Sequence, residues 1–81
     1  MTIIKRTGEK ATYDENKIYN ALWKAFNEVD NGVTDEDEKV IKGITKDVTN
    51  NFVEEGTRIE DIQDYVEDKL MESKRKDVAR A

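Results

Sequence analysis

Three stretches of this chain repeat apolar residues at intervals of three and four, and that recurrence constrains the fold more than any other feature. Ile18, Leu22, Ala25, Phe26 and Val29 mark one stripe, Val40, Ile41, Ile44, Val48, Phe52 and Val53 a second, and Ile62, Tyr65, Val66 and Leu70 a third. A helix that is apolar on one side must bury that side against a neighbour, so three such stripes in 81 residues imply a small bundle. The chain has no cysteine, so neither a disulfide nor a thiolate metal site can staple it. Packing alone must hold a domain whose short length limits how much surface it buries.

Local signals set the ends of these helices. Asp14 offers an N-cap oxygen to the first, although Lys17 stands three residues on where a capping box would carry Glu or Gln. Asp30-Asn31-Gly32 is a turn sequence that should end it. Thr34 can cap the second helix, expected over about 34–54, and Asp35, Glu36, Asp37 and Glu38 complement the positive end of its dipole. Gly43 inside that run costs roughly 1 kcal/mol relative to alanine, and close approach of another helix is the expected reason for it. Glu60 and Asp61 open the third helix, and Ser73 or Asp77 should cap a last segment containing "DVARA".

Ahead of the helices, residues 2–6 and 10–13 are β-capable runs separated by Thr7, Gly8 and Glu9, which suits a hairpin whose glycine takes a positive φ. Arg58-Ile59 reads as a third strand beside it. The expected fold class is therefore α+β, mainly α: a small helical bundle of three to four helices capped by an N-terminal β-hairpin or three-stranded mini-sheet. Residues 1–81 form one domain, and its final segment, about one turn long, suggests a domain excised from a longer protein. Tyr19 and Trp23 lie off the first stripe, where packing against the other helices is the expected role and anchoring a partner the alternative.

Composition removes several function classes. With no histidine, Ser/His/Asp and Cys/His catalysis and His-based metal sites are excluded. A formal charge of −5, from 14 basic and 19 acidic residues, disfavours broad binding to nucleic acid or to an anionic membrane surface. No apolar run approaches the ~20 residues of a membrane span, so a cytoplasmic location is expected. Neither GxxxxGK[ST] nor GxGxxG occurs, and "DNGVTDEDE" fails the ligand spacing of a calcium loop. No carboxylate pair stands out for acid-base work.

What remains is basic: Lys5 and Arg6 before the glycine turn, and Lys17 near the start of the first helix. Strand residues alternate, so Ile3 and Lys5 share one face and Ile4 and Arg6 the other. An apolar surface beside a cation, near the unpaired amides of a helix start, suits an anion joined to an aromatic base. The plainer alternative is that Lys5 and Arg6 blunt an edge strand while Lys17 pairs with Asp14 or Asn16.

The run Ile3-Ile4-Lys5-Arg6-Thr7-Gly8, followed by Tyr13-Asp14, Lys17-Ile18, "IEDIQDYVEDKL" at 59–70 and "DVARA" at 77–81, resembles the ATP-cone family over nearly the whole chain. ATP-cones are nucleotide-binding regulatory modules of ribonucleotide reductases and of a bacterial repressor of reductase genes. The resemblance implies that Lys5, Arg6 and Lys17 hold phosphates and that Ile3 walls the base. It also nominates Ile59 and Gln63 beside the base, with Gln63 able to tell nucleotide variants apart, while Ile59 reads equally well as core. Thr7 stands where many relatives carry Asp, and Ala11 occupies a position that is often charged in them.

The resemblance further implies ATP or dATP as effector with Mg²⁺ bridging its phosphates, and no chemistry of the domain's own. Its partners would be the remainder of a parent reductase, the anaerobic type being one candidate, and another subunit or cone. Nucleic acid and membrane are not expected as direct partners. The repressor alternative requires a cysteine zinc ribbon, and Met1 followed directly by the motif favours the reductase. A ligand-free helical protein-interaction domain is the rival from another class.

Overall fold

The structure is a computed structural model and describes residues 1–73. Strand β1 (Thr2–Ile4) turns through Thr7-Gly8 into β2 (Lys10–Thr12), and helix α1 (Glu15–Asp30) follows. Helix α2 (Asp35–Asp47) runs directly into a π-helical turn (Val48–Phe52). Strand β3 (Thr57–Arg58) then leads without a break into α3 (Ile59–Glu72). The segment after Ser73, including the expected cap at Asp77, lies outside the described residues.

The sheet order is β2-β1-β3, with β1 antiparallel to β2 and parallel to β3. Gly8 takes φ +89°, the left-handed backbone that the hairpin turn needs and that costs glycine nothing. Because β1 is the central strand, Lys5 and Arg6 do not guard an edge; they extend from its end into the turn. Arg58 is extended as expected, but Ile59 is already the first residue of α3. Strand and helix thus join at a single residue, and Ile59 sits at that joint.

Each helix start follows from a side chain. Asp14 accepts the N–H of Asn16 at 3.0 Å and caps α1. At α2, Thr34 Oγ1 accepts the N–H of Asp37 at 3.1 Å, and the Asp37 carboxylate accepts the N–H of Thr34 at 3.3 Å, a reciprocal capping box. Asn31 ends α1 in the left-handed region at φ 53° and donates its N–H to the carbonyl of Asn27.

The core is built where the three stripes meet. Phe26, Ile41, Val48 and Ile62 are completely buried, and Leu22, Ile44, Val53, Leu70 and Ile3 join them. Burying each large side chain contributes about 1.5–3 kcal/mol, and these few residues must offset most of the ordering cost. The π-helical turn explains how the second stripe ends. The Val53 N–H donates five residues back to the Val48 carbonyl at 2.9 Å, and both valines are buried. An uninterrupted α-helix to residue 54, as the stripe alone suggests, would rotate them about 140° apart.

Two expectations need correction. A Cβ built at Gly43 would meet nothing within 4 Å, so no helix presses close there. Trp23 is 40% exposed and is not packed into the bundle, because it sits on the solvent side of α1. Tyr19 does pack against the core, and its hydroxyl donates to Glu38 at 3.4 Å across to α2.

Candidate functional site

The end of the molecule that carries the sheet holds two adjoining concavities. The smaller, of about 170 Å³, is lined by Ile3 and Lys5 of the β1 end, by Ala11, Thr12 and Tyr13 of β2 and its exit, and by Asp14, Lys17, Ile18 and Ile59. The larger, of about 450 Å³, runs between α1 and α3 over Lys17, Ile18, Ala21, Leu22 and Ala25 on one side and Ile59, Ile62, Gln63, Val66 and Glu67 on the other. Lys17, Ile18 and Ile59 line both, so the two form one continuous depression.

Local structure explains how these residues meet. On α1, Lys17 and Ile18 lie one turn before Ala21 and Leu22, so the helix presents a cation at the sheet end and an apolar floor behind it. On α3, Ile59, Ile62, Gln63 and Val66 fall at three- and four-residue spacing and face that floor. Ile3 is buried at 8% exposure beneath the hairpin, with Lys5 two residues on along the same face.

Arg6 lines neither concavity itself, but its Nη2 donates to Gln63 Oε1 at 2.8 Å across 57 residues of sequence. That single contact ties the hairpin turn to α3. All six residues singled out from the sequence therefore belong to one region: Ile3 and Lys5 at the smaller concavity, Lys17 and Ile59 at both, Gln63 at the larger, and Arg6 through Gln63.

The charges are distributed unevenly. Lys42, Arg58 and Lys69 form ion pairs with Glu38, Glu60, Asp47 and Glu72, whereas Lys5, Arg6 and Lys17, like Lys10, Lys24, Lys39 and Lys46, form no ion pair with a described acid. Lys17 thus does not pair with Asp14, the plainer alternative. The α1 amides contribute less than a bare helix start would, since Asn16 donates to the Asp14 side chain and Lys17 to the Asp14 carbonyl at 3.1 Å. Attraction for an anion rests on the lysine and arginine side chains.

Among the described residues, no group of three or more Asp or Glu is placed to hold a metal ion. No described helix is long and apolar enough to cross a membrane.

Several lining residues were not singled out from the sequence as site residues. Ala21, Ala25 and Val66 sit on the apolar stripes or their flanks, where they read as core; two alanines four apart, beside larger residues, are the one signal of a groove rather than a packed seam. Thr12 and Tyr13 enter through the sheet. The Tyr13 hydroxyl also hydrogen-bonds Thr49 Oγ1 at 2.8 Å, anchoring the hairpin to the π-helical turn.

Comparison with known proteins gives the chain a family. The family model described as ATP cone domain matches residues 1–81. Among curated proteins, the chain is similar to a vitamin B12-dependent ribonucleoside-diphosphate reductase of Thermoplasma acidophilum, with 35% identity over 72 residues. That match covers 89% of this chain and 9% of the reductase, so the chain spans only a small part of that relative's length.

Proposed function

The chain belongs to the ATP-cone family of small nucleotide-binding regulatory domains, and from that premise we propose that it binds ATP and dATP in the depression beneath its sheet and regulates a ribonucleotide reductase of which it forms part. The observation that carries this reading is the convergence of Ile3, Lys5, Lys17, Ile59 and Gln63 on two connected concavities, with Arg6 joined to them through Gln63. The larger groove falls within the roughly 300–1,000 Å³ typical of small-molecule sites.

In this reading the apolar floor takes the base, with Ile3 and Ile59 as walls, and Lys5, Arg6 and Lys17 take the phosphates. Magnesium enters with the nucleotide. The domain itself performs no chemistry. The parent is a ribonucleoside reductase of the cytoplasm, with the anaerobic and the vitamin B12-dependent types both open. ATP leaves it active and dATP shuts it down by altering association with another subunit or cone. Such control requires that the two effectors stabilise different assemblies unequally, because a ligand shifts an equilibrium only by its differential affinity.

Calorimetric titration of an Arg6→Ala, Lys17→Ala double variant against the unmodified chain tests the assignment. Loss of saturable ATP binding with an unchanged thermal midpoint is the expected result. Equal affinity of the two proteins would remove the phosphate roles.

A further inference from the structure

The Arg6–Gln63 contact carries a consequence beyond two independent site residues. Arginine has donors and no acceptor, so the guanidinium compels the Gln63 carbonyl oxygen to face it and turns the amide NH₂ away. Gln63 makes no other hydrogen bond with a described residue, and it lines the larger groove beside Ile59, Ile62 and Val66. Arg6 in turn sits in a glycine-containing turn, outside the strand ladder, with no acid among the described residues to fix its position. Its placement toward the groove depends on Gln63.

We infer that Arg6 and Gln63 act as one unit: Gln63 is the positioning residue that holds the guanidinium at the mouth of the groove, and the guanidinium orients the amide so that its donors, not its acceptor, meet a bound ligand. The inference rests on the nucleotide reading above and adds a specific coupling to it. An uncharged glutamine on α3 governs how strongly the site senses a phosphate chain, although it need not touch a phosphate. The pair also connects the element that holds the base to the element that holds the phosphates.

The test is a double-mutant cycle on the full chain with Arg6→Met and Gln63→Met, titrated with Mg-ATP and with AMP. Both side chains are exposed, so the variants should keep the parent's thermal midpoint. Each single change is expected to weaken ATP about tenfold, the loss typical of a hydrogen bond to a charged group. The double variant should also lose about tenfold, not about a hundredfold, because both changes remove the same unit. The ratio of ATP to AMP affinity should fall in Gln63→Met although no charge has been removed. Additive losses, or an unchanged ATP to AMP ratio in Gln63→Met, would overturn the inference while leaving the nucleotide site standing. Absence of ATP and AMP binding in the unmodified chain would overturn the underlying reading, and the inference with it.

Discussion

The two faces of α3 solve different problems. One face is fully engaged: Tyr65 stacks on Phe52 of the π-helical turn with ring centroids 4.4 Å apart, and Lys69 lies over the Tyr65 ring while its Nζ reaches Asp47 at 3.3 Å and Glu72 at 3.5 Å. The opposite face, with Ile59, Gln63 and Val66, looks into the groove, where Gln63 accepts a hydrogen bond from Arg6. The same helix thus fastens the bundle on one side and on the other leaves apolar surface across the groove from Lys17 of α1. Where charges are already matched, a residue serves the fold; where cations stand unpaired beside an apolar groove, they are available to a ligand.

This comparison can be broken from either side. The largest effect is expected at Phe26, which is completely buried in the core shared by both regions. Phe26→Ala should cost about 3–5 kcal/mol and, in a domain of this size, abolish cooperative thermal unfolding followed by circular dichroism. On the open side, Lys5→Ala and Lys17→Ala should each weaken Mg-ATP by at least about tenfold in calorimetry, with little change in thermal midpoint, because neither lysine pairs with a described acid. A large loss of stability in either variant would mean that the open face is structural after all.

Smaller effects sharpen the contrast. Thr34→Ala removes the reciprocal cap of α2 and should cost about 1 kcal/mol in urea unfolding. Gly43→Ala should stabilise by about 0.5–1 kcal/mol, since the added Cβ meets open space within a helix. Neither change should alter nucleotide affinity.

The smallest effect concerns pH on the fastened face. The hydrogen bond from Asn51, together with Lys69, holds the Asp47 carboxyl below its ordinary range, against the opposing effect of partial burial. A carboxyl lowered in the folded state contributes stability above its unfolded pKa and loses it as pH falls through the folded value. As pH falls from about 5 through the folded value, the unmodified chain should therefore lose more thermal stability than Asp47→Asn does. Lys69 is raised by the same Asp47 contact, so its contribution is lost only at strongly alkaline pH, as the solution passes through its folded value.

How much of this was legible in the sequence depended on the range of the interaction. Asp14, Thr34, Asn31 and Gly8 act on backbone within a few residues, and their types alone announced the helix starts, the helix end and the hairpin. The three stripes announced the core. The π-helical turn was less visible, because the second stripe continues through Val48 and Phe52 in a pattern that an α-helix also produces. The backbone bond from Val53 to Val48 and the burial of both valines, five residues apart, distinguish it in the structure. Gly43 was misread because a glycine inside a helix suggests close packing, whereas here it faces open space. Lys5, Arg6 and Lys17 were found through a motif, but the pairing of Arg6 with Gln63 spans 57 residues and has no local signature.

The most direct measurement of the central claim is a Mg-ATP titration of the chain followed residue by residue through its amide NMR resonances. The account predicts saturable shifts concentrated in residues 3–18 and 59–66, around the two concavities, with α2 between Asp35 and Asp47 nearly unmoved. Shifts centred on α2 or on Trp23, or no shifts at millimolar nucleotide, would contradict it.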